Sequence, residues 1–276
     1  MFDNLEEDTP YDVVVTYDLQ KNDDVEKIVT SSHTKEFRTR MFFAPSHGLS
    51  VSEVTGSTMQ AMVEASTEFR KSGFTDEDSA QLASIAEKYR NIADEEISAG
   101  ESASFIIAQM KAFNIEAGQA EHIIDAVNEV ANNFSVSSAD LAKNLGNMSA
   151  IMAINNVSLE EQIGMLTGVT EITRNASSAS RGLVMISSRL TQVLDDTSST
   201  GKKLTAIYDK LGIALKDENG QLRGHYEILG DLASQWDSLS ENEQKYIALT
   251  SAGARQQQNF VSLMENWGQV AKATTT

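Results

Sequence analysis

Four histidines, one acidic tetrad ending in glycine and one glycine-lysine step are the residues whose types could bind a metal or a phosphate. His33, His47, His122 and His225 could serve as zinc ligands or proton carriers, and two imidazoles on one helix share an ion when they stand four residues apart. No pair has that spacing, and no carboxylate lies at a recognised ligand interval from any of them. Cysteine is absent, which removes thiolate ligands, thiol nucleophiles and disulfides together. Asp217-Glu218-Asn219-Gly220 has the oxygen-rich centre of a calcium loop. With Gly220 in the turn position, however, that loop would open on Leu215 and close on Tyr226, so both outer ligands are missing and the tetrad reads as a turn. Thr200-Gly201-Lys202-Lys203 has the end of a phosphate-binding loop, yet the place of its leading glycine is taken by Asp196 and no strand precedes it. A helix boundary with exposed lysines is the expectation there. There is no Gly-x-Ser-x-Gly elbow, and 40 acidic residues offer too many carboxylate pairs for any one to signal a glycosidase. The expected site is therefore empty of catalytic, cofactor-binding and metal-binding residues, with no cofactor and no enzymatic activity.

The elements that would position any site are helices. The only prolines are Pro10 and Pro45, so everything after residue 45 lacks the residue most hostile to a helix interior. Helix starts are written into the chain: Val136-Ser137-Ser138-Ala139-Asp140 and Val157-Ser158-Leu159-Glu160-Glu161 each place a carboxylate three residues beyond a serine, ahead of an apolar run. Such a serine hydroxyl accepts from the backbone of the third helical residue while the carboxylate faces the positive end of the dipole. Thr75-Asp76-Glu77-Asp78 and Ser240-Glu241-Asn242-Glu243 are looser versions. Apolar residues at steps of three and four give stripes, among them Leu82/Ile85/Tyr89/Ile92, Ile123/Val127/Val130/Phe134, Leu141/Leu145/Met148/Met152, Leu229/Leu232/Trp236/Leu239 and Phe260/Leu263/Trp267/Val270. Each is read as one side of one helix, with breaks at Gly73, Gly100, Asn114, Asn155-Asn156, Asn175, Gly201, Gly220 and Gly253. The fold class is mainly α, an irregular bundle of short amphipathic helices. One small β-hairpin is expected near 211–223, where Asn219-Gly220 separates two alternating apolar runs.

Residues 1–48 read differently, as a divergent segment that is mixed or poorly ordered. Asp12 to Tyr17 and Arg40 to Ala44 have strand composition. The remaining divisions are an N-terminal helical region at 49–135, a second helical region at 136–272 and a tail at 273–276. The first residues lack the basic and apolar segments of an export signal, and Phe105 to Ala108 or Leu183 to Ile186 are too short to span a bilayer. A net charge of −18 opposes attraction to nucleic acid or to anionic membranes, so no direct nucleic acid contact and no membrane span are expected. Trp236 and Trp267 lie on stripes and are expected in core or helix-contact roles rather than in ligand stacking. Met148, Met152, Met165 and Met185 are expected to fill core space rather than form an adaptable partner surface.

Seven phrases occur in order: Val136 to Ala142; Val157 to Glu161 with the run Ile163 to Leu166; Ala179-Ser180-Arg181-Gly182-Leu183 leading to Ser188-Arg189-Leu190; Leu211-Gly212-Ile213 with Asn219 to Arg223; Ile228-Leu229 to Trp236; Leu239 to Glu243; and Ala252-Gly253-Ala254-Arg255-Gln256. Together they resemble the conserved helical core of tape-measure proteins from long-tailed phages or prophages of Gram-positive bacteria. With Thr67 to Phe74, the resemblance covers about residues 60 to 272. It implies a structural virion component in the lumen of the tail tube, assembled in the host bacterial cytoplasm, acting in tube assembly, length determination and genome delivery. Its implied partners are other copies of itself, the tail tube protein, distal tail or tail tip proteins and tail assembly chaperones. Members of that family are much longer, with extended coiled coils, so the resemblance also implies a truncated or partial form. The alternatives are a cell-wall-degrading tail enzyme and a helical adaptor unrelated to phage.

Overall fold

Every helix start read from the sequence is capped by the residue that announces it. The Ser137 hydroxyl accepts from the Asp140 amide at 3.1 Å, and the Thr75 hydroxyl accepts from Asp78 at 3.1 Å. Ser158 and Ser240 form complete capping boxes, in which Glu161 and Glu243 return a carboxylate to the serine amide at 2.8 and 3.1 Å. A third box, Ser98 with Glu101, joins them. Removing one such hydroxyl strands an amide at the helix end, so Ser158→Ala and Ser240→Ala are each expected to lower stability by about 1 kcal/mol. Urea unfolding midpoints would measure this.

The computed structural model describes residues 20–21, 24–25 and 59–276. Its contacts divide the chain into two units, Met1–Met41 and Phe42–Thr276. In the first, β1 (Gln20–Lys21) pairs antiparallel with β2 (Asp24–Val25). The strands expected at 12–17 and 40–44 lie outside the described residues. In the second, thirteen α-helices are described. They are α1 (Met59–Lys71), α2 (Asp76–Ile92), α3 (Ala99–Phe113), α4 (Glu121–Asn133), α5 (Ser138–Leu145), α6 (Ser149–Ile154) and α7 (Leu159–Thr173). They continue as α8 (Ala176–Thr191), α9 (Ser199–Lys210), α10 (His225–Gln235), α11 (Glu241–Ala252), α12 (Gln257–Glu265) and α13 (Trp267–Thr274). The first three pack on one another, α7 and α8 pack together, and α12 and α13 return onto α7.

The stripes do not wait for outside partners, because they bury one another in a single apolar cluster running from Met62 to Ala273. Several stripes are not single helices. Leu141 and Leu145 lie on α5 while Met152 lies on α6, with Met148 at the turn between. Phe260 and Leu263 lie on α12 while Trp267 and Val270 lie on α13. Turns of a few residues return the chain to the same core, so the apolar spacing continues although the helix does not. Gly100 and Gly201 fall inside the first turns of α3 and α9 rather than at helix ends. At α7 the left-handed residue is Arg174, φ 53°, while Asn175 caps the next helix.

The hairpin expected near 211–223 does not form. Only the isolated bridge between Lys216 and Leu222 is present, without strands. The turn itself is made as its composition suggests, since Asp217 Oδ1 accepts from the Asn219 and Gln221 amides at 2.9 Å and Gly220 takes φ +78°. Pairing stops there because Ile213 and Leu215 are drawn into the core on one side, and on the other Arg223 bonds to Ala214 O and Asp231 before α10 begins. Hydrogen bonding to Asp231, with that residue's charge and Glu227's, raises the Arg223 pKa further.

Trp236 is 2% exposed and meets Phe260 edge to face at 5.9 Å, whereas Trp267 is half-buried against Tyr226. Met148, Met152 and Met165 are core residues, but Met185 is 43% exposed.

Candidate functional site

Among the described residues, those whose types could bind a metal or a phosphate lie apart from one another. His122 lies at the surface with Nε2 2.7 Å from Glu160 Oε1, and His225 lies in the core. His33 and His47 fall outside the described residues. Among the described residues no three histidine or carboxylate side chains converge as a metal group would require. Thr200 to Lys203 form the first turn of α9, where Ser198 accepts from the Gly201 amide at 3.1 Å. A Cβ on Gly201 would overlap the Gln192 carbonyl, so this glycine serves close packing against the turn at Gln192–Leu194.

His225 belongs to a buried polar cluster that ties three helices together. Its backbone amide donates to Asn155 O at 3.1 Å and its Nδ1 stands 2.7 Å from Ser187 Oγ. Asn155 Nδ2 donates to Ser187 Oγ at 3.2 Å, and Thr191 Oγ1 donates to Asn155 Oδ1 at 3.0 Å. Ser187 Oγ therefore bridges Asn155 and the imidazole, with one proton shared along the contact to Nδ1. The imidazole Nε2 is buried without a partner. Burial drives the imidazole pKa down to about 4. A similar network joins Gln109 to Ser149 Oγ at 2.9 Å and to Gln162 Nε2 at 2.6 Å. These groups fix the relative placement of helices, and none of them lines the cleft beside α2, α3 and α5 or the groove between α9 and α11.

Another junction locks α2 to the duplicated cap phrase. Asp94 Oδ1, just past α2, accepts from Ser138 Oγ at 2.8 Å, from Ala139 N at 3.1 Å and from Ser137 Oγ at 3.1 Å. Partial burial would raise this carboxyl, but those bonds outweigh it and hold the pKa below the ordinary value. The carboxylate thus sits at the amino end of α5, where the helix dipole also favours it.

The most intimate helix contact in the fold is the seat of α13 on α7. Gly164 and Gly168, one turn apart on α7, face α13 directly. A Cβ at 164 would stand 2.7 Å from Val270 O, and one at 168 would overlap the Val270 side chain. Asn266 Nδ2 closes the end of the seat by donating to Gly168 O at 2.8 Å. Two glycines four apart inside an apolar helix are the sequence signal for this seat.

The surface offers clefts of two electrostatic kinds. A cleft of about 650 Å³ beside α2, α3 and α5 carries Glu68, Glu95, Glu96, Glu101 and Asp140 against Lys143 alone. A groove of about 340 Å³ between α9 and α11 has the opposite character. Its floor is Ala206, Ile207, Leu211, Leu239 and Ile247, and its rim holds Lys202, Lys203 and Lys210 against Glu243. Tyr246, 50% exposed, stands in its wall. Lys210 Nζ lies 2.8 Å from Glu243 Oε1. That lysine, then the Ser240 hydroxyl and amide, hold the Glu243 pKa down at about 2. These clefts are surfaces on a helical body.

A protein-family model described as "Phage-related minor tail protein" matches residues 47–253, well over half of the chain. The chain belongs to this family. It is therefore a phage tail protein, and its helices and surfaces are those of a structural tail component. The family match runs through α11 and ends at its C-cap, Gly253, where φ is +73°. The two helices beyond it complete the core of the matched region, since Phe260, Leu263 and Val270 are fully buried. No solved structure matches the chain. Among the described residues no helix is long and apolar enough to cross a membrane.

Proposed function

We propose that this chain is the helical core of a tape-measure protein from a long-tailed phage or prophage of Gram-positive bacteria. In this reading it lies in the tail lumen of the virion after assembly in the host cytoplasm, helps to nucleate the tail tube and set its length, and performs no catalysis. Its partners are tail tube, distal tail or tip proteins, assembly chaperones and further copies of itself. The observation that carries the reading is the family match over 47–253, which contains the ordered phrases from Val136 to Gly253. An adaptor unrelated to phage does not fit a chain of this family.

Deleting residues 47–253 in frame from the phage or prophage that encodes the chain is expected to leave capsids without tails of normal length in electron micrographs. Normal tails after that deletion would refute the assembly role. An in-frame insertion of helical sequence is expected to lengthen the tail by up to about 1.5 Å per added residue. Purified chain is expected to release no peptidoglycan fragments, and release would favour a wall-degrading enzyme instead.

A further inference from the structure

The groove between α9 and α11 has a chemistry opposite to the net charge of the chain. The chain carries −18, yet three lysines and one carboxylate line this groove, and that carboxylate is already held by Lys210. Among the described residues neither Lys202 nor Lys203 makes an ion pair, and the charge of Lys202 is felt by Asp195. Both lysines are exposed, as are Ala206 beneath them and Tyr246 across from them. Lysine stems can cover apolar surface while their ammonium groups remain in water, so such a rim suits an apolar guest with acidic flanks. The two walls are helices of 12 residues, each spanning about 18 Å at ~1.5 Å per residue, which fits about three turns of a guest helix. Ala206 leaves on the floor the depth that a larger residue would fill.

We propose that this groove docks an amphipathic helix of another protein, one carrying aliphatic residues at three- and four-residue spacing flanked by Asp and Glu. The charge pattern selects the class of guest: a basic helix would set its cations against Lys202, Lys203 and Lys210, and a purely apolar one would leave them without partners. The occupant is a helix of another protein, selected by the lysine rim, and docking of a second copy in the same groove is a separate outcome that the test distinguishes. The inference rests on the groove alone and holds whether or not the chain measures tails.

The test uses the full chain and two labelled synthetic helices with identical leucine positions, one with glutamate and one with lysine at the flanking positions, read by fluorescence anisotropy. The acidic peptide is expected to bind at least about tenfold more tightly than the basic one and to weaken as salt screens the rim. Lys202→Glu with Lys203→Glu is expected to abolish that preference, and Ala206→Arg to block both peptides. These positions are exposed, and glutamates near the start of α9 favour its dipole, so circular dichroism should show the fold unchanged. Equal binding of the two peptides, no binding of the acidic one, or binding indifferent to the double substitution would overturn the proposal. A dimer in sedimentation that Ala206→Arg dissolves would give the groove to a second copy and overturn it equally.

Discussion

Gly168→Leu is expected to unseat the terminal helix and lower stability by about 3 kcal/mol. The seat has no room for a side chain, because even a methyl at this position would overlap Val270, whose own exposure is 0%. Either α13 shifts, with overpacking typically costing about 1–3 kcal/mol, or it leaves α7 and exposes Val270, itself worth roughly 2 kcal/mol, along with Ala273. Undocking also removes the bond from Asn266 to the Gly168 carbonyl. Amide exchange should rise throughout Trp267–Thr274, and the melting temperature should fall by several degrees. Gly268→Ala is the matched control. A Cβ there meets nothing within 4 Å, so the better helix propensity of alanine should stabilise α13 by up to about 1 kcal/mol. If Gly168→Leu left both exchange and melting unchanged, the close seat would be refuted.

Acidification is expected to destabilise the fold through His225 specifically. Its pKa is about 4 in the folded chain against about 6.5 when unfolded, so the unfolded state takes up the proton first. The stabilising contribution is complete above pH ~6.5 and is lost progressively as the pH falls toward ~4, reaching about 3 kcal/mol for a difference of this size. The physical reason is desolvation: a charged imidazole would stand in the core away from water, with Nε2 buried and no partner there to compensate its charge. Carboxylates titrate over the same range, so the informative quantity is the difference between the wild type and His225→Gln. That difference should shrink by about 3 kcal/mol between pH 7 and pH 4. A pH-independent difference would mean that His225 gains its proton without penalty.

The local grammar of the chain was legible because it acts over three or four residues. Ser158 with Glu161, Ser240 with Glu243 and Thr75 with Asp78 satisfy each other within one helical turn, so their types and spacing suffice. Asp217 and Gly220 make their turn for the same reason. The hairpin misled because turn composition dictates the turn and not the ladder beyond it. Whether flanking residues pair or turn inward depends on what lies across from them, and here Ile213 and Leu215 found a core. The stripes were legible as apolar faces but not as helices, since a period of three to four residues survives a brief turn between α5 and α6 or between α12 and α13.

The groove was not legible at all. Lys202 and Lys203 read as exposed lysines at a helix boundary, and they are, but Leu239, Tyr246 and Ile247 lie some forty residues on and become their neighbours only in the fold. His225 likewise looked like one of four scattered histidines, and only burial beside Ser187 and Asn155 gives it a depressed pKa.

By itself, the sequence determined that this protein is mainly helical, where many of its helices begin, that it has no cysteine chemistry, and which family it resembles. Tertiary structure decided which apolar faces became core, which glycines were seats rather than breaks, which histidine lost its water, and where an acidic chain gathers lysines around an apolar floor. The difference is one of range. Caps and turns are settled by neighbours a turn away, whereas burial, close approach and the sign of a groove's charge depend on partners that only packing brings together.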